Sequence, residues 1–185
     1  LAETFGDMWR PQERLTKGLA GGVRERLPSS SPHLIVPPPA GLVPRGYQIE
    51  GAHMIASTGR CLLFDDAGVG KTITTILGLK ERALTHEVLP ILVVCPSSVV
   101  DNWVVEFRKW APQFWAVPWR GAKSTRQRLI GTAHVYVASY DTARNDASST
   151  DPRDGNPLIE LSPRTVVADE CHRIKSHQSQ QSRAV

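Results

Sequence analysis

The chain has 185 residues, of which 41% are hydrophobic and 22% charged, and it carries a formal net charge of +4 with a pI near 9.2. That length is enough for one domain with a substantial core, and the composition is that of an ordinary globular protein without an apolar run long enough to span a membrane. The basic balance leans toward an anionic partner.

The first ten residues mix acids with Trp9 and Arg10, so no secretory pattern opens the chain. The first residue is not methionine, which reads as a fragment or a non-standard start. Residues 1–43 read as a Pro/Gly-rich extension. Gly18–Gly22 is glycine-rich, and Leu27–Pro39 holds five prolines and three serines, a composition that disfavours helix and central strand alike. A short helix over Arg10–Arg26 is compatible with the pattern. The regular part, 44–185, begins with a helix over Tyr47–Ser57 that places Tyr47, Gly51, Met54 and Ile55 on one face. Four apolar runs follow, Cys61–Phe64, Ile91–Cys95, His134–Ser139 and Thr165–Ala168, each of a length and uniformity suited to strands buried on both faces of a parallel sheet. Helices fall between them. Thr72–Arg82 brings Ile73, Ile76 and Leu77 together, and Ser98–Trp110 puts Val100, Trp103, Val104, Phe107 and Trp110 on one stripe, with Ser98 and Asp101 spaced as a helix-start pair. Ala143–Asn156 is polar and reads as a surface loop. Strands alternating with helices predict an α/β open sheet with ligands at the carboxyl ends of the strands.

Two short stretches carry chemistry. In Asp65-Asp66-Ala67-Gly68-Val69-Gly70-Lys71-Thr72, glycines ahead of a Lys-Thr pair let backbone N–H groups close on phosphate oxygens, and the following helix adds its positive end. Lys71 is predicted to contact the β- and γ-phosphates and Thr72 to offer its hydroxyl to magnesium. In Val166-Val167-Ala168-Asp169-Glu170-Cys171-His172, a strand delivers two carboxylates to a sheet edge. Asp169 suits a magnesium-bound water, and Glu170 suits polarisation of the attacking water. His172 is open to two readings, a metal ligand or a relay contact, and Cys171 reads as packing. The three cysteines, Cys61, Cys95 and Cys171, have unrelated spacings and adjoin apolar runs, which predicts buried free thiols in a reducing compartment and no zinc site.

Between Glu106 and Asp141 no acid occurs, while Arg108, Lys109, Arg120, Lys123, Arg126 and Arg128 alternate with Trp110, Phe114, Trp115 and Trp119. Some of these arginines are candidates for phosphate contact, and the aromatics read mainly as core, with Trp115 beneath a strand. Arginine outnumbers lysine 16 to 6, which suggests a GC-rich genome, bacterial or phage.

Arg45-Gly46-Tyr47-Gln48, the Asp65–Thr72 loop, Val93-Val94-Cys95-Pro96-Ser97 with Asn102-Trp103 and Glu106, Ser139-Tyr140-Asp141-Thr142, and Asp169 through Lys175 appear in one order. From about Val43 to Val185 the chain resembles the first RecA-like lobe of a superfamily 2 helicase-type ATPase, most closely the Swi/Snf group of DNA translocases. An acidic pair opening the phosphate loop is itself a habit of that group. The resemblance implies a P-loop NTPase fold, a RecA-like parallel sheet flanked by helices, present here as an incomplete first lobe with an irregular extension. It implies ATP and Mg2+ as cofactors, with Arg45, Gln48, Asp66, Ala67, Gly68, Val69, Gly70, Lys71 and Thr72 binding nucleotide and Gln48 reading the adenine. Lys71 and Glu170 would act in catalysis, and Thr72 and Asp169 at the metal. Pro96, Ser97, Ser139 and Tyr140 would face the DNA backbone.

The resemblance also implies duplex DNA as partner, no membrane, and action in the cytoplasm or nucleoid of a bacterial source, or in the nucleus of a eukaryotic one. Gly46, Cys171 and Ser176 depart from the family's proline, alanine and asparagine. A Thr-Gly-Thr-Pro-like motif and a second lobe with arginine fingers, required in cis, are not in this stretch. The 185 residues alone are therefore expected to bind nucleotide weakly and turn it over negligibly. Two other readings stay open: an unwinding helicase of RNA or restriction type, and a non-catalytic nucleotide-binding module.

Overall fold

A computed structural model describes residues 33–63, 68–147 and 155–170. Expectations for the Arg10–Arg26 helix, for Phe64, Asp65, Asp66 and Ala67, and for everything from Cys171 onward lie outside those residues. The elements in chain order are α1 (Gly46–Thr58), α2 (Lys71–Arg82), β1 (Ile91–Cys95), a 3-10 turn (Ser97–Val99), α3 (Val100–Trp110), β2 (Ala116–Trp119), α4 (Lys123–Leu129), β3 (Val135–Ser139), α5 (Tyr140–Ala147), α6 (Pro157–Leu161) and β4 (Thr165–Ala168). Backbone proximity divides them into two compact units. One takes the described residues up to Val88 together with Glu106–Gln113, and the other takes Leu89–Val105 together with those from Phe114 onward.

In the first unit α1 and α2 pack through small residues. Gly78 lies against Ile55 and Ala52, and Gly51 lies against Thr74. The inward face of α1 is therefore Gln48, Ala52, His53, Ile55 and Ala56. This corrects the expected stripe, because Tyr47 and Met54 are exposed. Bulky side chains would hold the two helices apart where glycine lets them touch. The helix Gly46–Thr58 ends on Gly59 in the left-handed region, whose N–H donates to Ile55 O at 3.3 Å.

Three further differences belong to this unit. Cys61–Leu63 carries no strand, and Leu62 is exposed, since among the described residues no neighbouring strand pairs with it. The thiol of Cys61, expected inside, is exposed for the same reason. The Pro-rich segment is also anchored rather than wholly outside the core. Val36 N donates to Glu81 Oε1 at 2.7 Å, and Lys80 Nζ donates to Pro37 O at 3.2 Å and Trp110 O at 3.1 Å.

The second unit is built on a four-stranded sheet in the order β2-β3-β1-β4, with every neighbouring pair parallel. Val93 of central β1 stands opposite Val137 of β3 and Val167 of β4. All of β1 and most of β3 are buried, as continuous apolar runs demand. Among the described residues β4 is an edge strand and Val166 is exposed, so burial on both faces does not extend to it. β2 was not expected; its Pro118 lacks a donor and is accommodated at the other edge.

The core on one face gathers Leu92, Val94, Trp119, Tyr136, Tyr140 and Leu161, with Trp119 edge-on to Tyr136 at 5.4 Å between ring centroids. The expected loop Ala143–Asn156 begins as the helix α5, because Asp146 is a buried partner and not a solvated acid. Arg126 donates to Asp146 through Nε at 2.9 Å and through Nη2, and Trp119 Nε1 donates to the same carboxylate at 2.8 Å. Arg126 is thereby withdrawn from the set of phosphate-binding candidates. The expected Ser98 cap is also absent. The chain enters α3 through the 3-10 turn without a side-chain cap, and Asp101 pairs with Arg120 at 3.1 Å.

Candidate functional site

The phosphate-loop residues gather in the first unit. Gly68 and Gly70 both have positive φ, +85° and +87°, which only glycine adopts without strain. Gly70 is also the N-cap of α2, and a Cβ there would run into Gln48 Nε2. Lys71 and Thr72 are the first residues of that helix, half-buried, where backbone N–H groups lack intrahelical partners and the helix dipole favours an anion.

The first turn of α1, with Arg45 ahead of it, closes on this loop. Tyr47 Oη donates to Val69 O at 2.9 Å and Gln48 Nε2 donates to the same carbonyl at 3.3 Å. Arg45 N donates to Gln48 Oε1 at 2.9 Å, which also caps the helix start, and Arg45 Nη1 donates to Tyr47 Oη at 3.3 Å. Arg45 and Gln48 thus meet the loop as a group. Tyr47, which the sequence reading placed on one helix face with Gly51, Met54 and Ile55, is a third member of that group.

The acidic pair lies at the end of β4 in the second unit. Asp169 N donates to Val94 O at 2.9 Å, continuing the ladder one residue past the strand. Asp169 Oδ2 accepts from Trp103 Nε1 at 2.9 Å, and Asp169 O accepts from Tyr140 Oη at 2.7 Å. Glu170 is exposed and left-handed, with φ +56°. Beside them the Cys95 thiol is pushed up to about 12, first by burial and then by the Asp169 charge, so it is neutral and no nucleophile.

Of the residues expected to face DNA, Pro96 is buried, Ser97 is exposed, and Ser139 is half-buried. Ser139 Oγ accepts from Thr142 N at 3.1 Å and lies 2.9 Å from Thr142 Oγ1, which fixes the start of α5. Tyr140 is a correction. Its ring is in the core and its hydroxyl is committed to Asp169, so its side chain offers nucleic acid no surface. Trp110, Phe114 and Trp119 are buried as expected, whereas Trp115 is exposed and does not lie beneath a strand.

Among the described residues no three His, Cys, Asp or Glu side chains cluster as a metal cage. Thr72 in the first unit and Asp169 in the second each carry a hard oxygen donor of the kind magnesium accepts while keeping several waters. Sequence reasoning missed Tyr47 and Trp103. Both signals were present, since Tyr47 stands between Arg45 and Gln48 and Trp103 follows Asn102 in a quoted motif.

Comparison with known proteins identifies the family. A family model described as the SNF2-related domain matches residues 47–185. The chain is 32% identical over 160 residues to the TATA-binding protein-associated factor MOT1 of Saccharomyces cerevisiae, covering 76% of this chain and 8% of that protein. It is 32% identical over 152 residues to the ISWI chromatin-remodeling complex ATPase ISW2 of the same yeast, covering 76% of this chain and 13% of that protein. Among solved structures, the Sulfolobus solfataricus SWI2/SNF2 ATPase core in complex with dsDNA aligns with a TM-score of 0.65 and 27% identity, over 85% of this chain and 31% of that one. These relatives are from a yeast and an archaeon, and lend no support to the bacterial or phage source suggested by the arginine count. No described helix is long and apolar enough to cross a membrane.

Proposed function

Because this chain belongs to the SNF2-related family, we propose that it forms part of the first motor lobe, within 44–185, of an ATPase that moves on duplex DNA. The observation that carries the reading is the left-handed Gly70 at the head of α2, closed upon by Gln48 and followed directly by Lys71 and Thr72. Backbone N–H groups of Gly68 to Thr72, with Asp66 and Ala67 ahead of them, hold the phosphates, and the Lys71 ammonium neutralises the β- and γ-oxygens. Arg45 and Gln48 serve the adenine side. Thr72 and Asp169 would hold magnesium, which when bound would screen charge on the phosphates. Glu170 takes the proton of the attacking water.

Ser97 and Ser139 meet phosphates of the duplex beside Pro96, and the likeness to a SWI2/SNF2 core bound to dsDNA supports duplex DNA as the partner. Turnover needs a second lobe in cis to supply the arginines that stabilise the transferring phosphoryl group. The place of work is wherever the cell keeps duplex DNA. The reading is tested by titrating a fluorescent ATP analogue into this chain, Lys71→Ala and Gln48→Ala. Binding lost with Lys71→Ala, and loss of preference for ATP over GTP with Gln48→Ala, is the expected pattern. Equal binding by all three would refute it.

A further inference from the structure

The hydrogen bonds around Asp169 leave its side chain with one oxygen to offer. Its amide N–H is bound to Val94 O at 2.9 Å and its carbonyl accepts from Tyr140 Oη at 2.7 Å, so the backbone is held on both sides. The carboxylate itself would still be free to rotate and exchange its oxygens. The Trp103 indole stops that exchange, because its N–H is a donor only and sits 2.9 Å from Oδ2. No hydrogen bond to Oδ1 is made among the described residues.

A buried indole N–H requires an acceptor in general, and that need alone would account for the contact. The same helix argues otherwise. Trp110 Nε1 is also buried, and among the described residues it has no partner. Of the two indoles on α3, Trp103 is the one that directs its N–H at a charged group.

Resting on the nucleotide reading above, we propose that Trp103 is a positioning residue: its N–H holds Asp169 Oδ2 and so presents Oδ1 to the magnesium that accompanies ATP. Groups behind a metal ligand, holding it in orientation, commonly change metal affinity when removed.

The test measures ATP affinity with and without magnesium for this chain, for Asp169→Ala, for Trp103→Phe, and for the chain carrying β-(3-benzothienyl)alanine at Trp103. The last has the same ring size with sulfur in place of the N–H, and keeps the experiment sound if the phenylalanine variant folds poorly. The magnesium-dependent gain in affinity is expected to fall about tenfold in both Trp103 variants, with magnesium-free affinity unchanged. A purely structural role would lower both affinities together. An undiminished magnesium gain in the benzothienyl protein, with the gain abolished by Asp169→Ala, would overturn the proposal and leave the nucleotide reading intact. A wild-type chain that binds no ATP would refute that reading, and this inference with it.

Discussion

Replacing Gly78 by alanine is expected to destabilise the chain, although alanine is the better helix former. An added Cβ would stand 2.7 Å from Ile55 Cβ, 2.8 Å from Ile55 Cγ2 and 3.0 Å from Ala52 O. Two of those three atoms are fixed to the backbone of α1 and cannot swing aside. The helices must therefore separate by roughly 1 Å to restore ordinary contact near 3.5–4.0 Å. Overpacking of this kind costs about 1–3 kcal/mol, while the gain in helix propensity is about 1 kcal/mol. Because the blocking atoms are fixed to the backbone, the cost falls at the upper end of that range, and the net loss is about 2 kcal/mol, or roughly 30-fold in the folded-to-unfolded ratio.

Gly51→Ala is the control. Its Cβ would lie 2.6 Å from Thr74 Cγ2 but 4.0 Å from the next atom, and that methyl can rotate at the expense of the 3.3 Å bond from Thr74 Oγ1 to Gly70 O. Its effect should lie near zero. Urea unfolding followed by far-UV circular dichroism reads both. A Gly78→Ala protein as stable as the parent would refute the close approach of α1 and α2.

Three more outcomes are expected. Asp146→Ala should cost about 3–5 kcal/mol in urea unfolding, since it strands the buried Arg126 guanidinium and the Trp119 N–H together; a loss under about 1 kcal/mol would contradict the buried pair. Burial holds the Glu81 carboxyl above its ordinary value of 4.5, against lowering by bonds from Val36 and Ile35 and by the charges of His53 and Lys80. The folded state then binds the proton more tightly than the unfolded state, so this group costs stability above its folded value, and the cost fades as pH falls toward 4.5. Glu81→Gln should accordingly gain on the parent as pH rises through that window, and a pH-independent difference would count against it. Of the two described thiols, exposed Cys61, which partial burial lifts above its ordinary value of 9.0 against a lowering bond with Thr58, should alkylate slowly but measurably in the folded chain at alkaline pH, while Cys95, near 12, stays unlabelled until the chain unfolds; peptide mass spectrometry distinguishes them.

What could be read from the sequence was whatever spacing alone enforces. Glycine at Gly68 and Gly70 before Lys-Thr permits a backbone that other residues resist, and continuous apolar runs such as Ile91–Cys95 have few homes outside a buried parallel strand. What escaped depends on partners distant in the chain. The inward face of α1 is decided by where Gly78 lets two helices touch, so its small residues outrank Tyr47 and Met54. Asp146 looks solvated until Arg126 and Trp119 are known to meet it. Strand β2 hides behind Pro118, which signals a break in isolation yet is harmless at a sheet edge. Trp103 was read correctly as apolar core, but an apolar stripe does not reveal that its one polar atom reaches Asp169.

The most direct test is ATP turnover by the longest natural product that contains this segment, with and without duplex DNA, beside the same protein carrying Lys71→Ala. The account predicts turnover stimulated by duplex DNA and abolished by the substitution. Turnover indifferent to duplex DNA, or surviving Lys71→Ala, would contradict it.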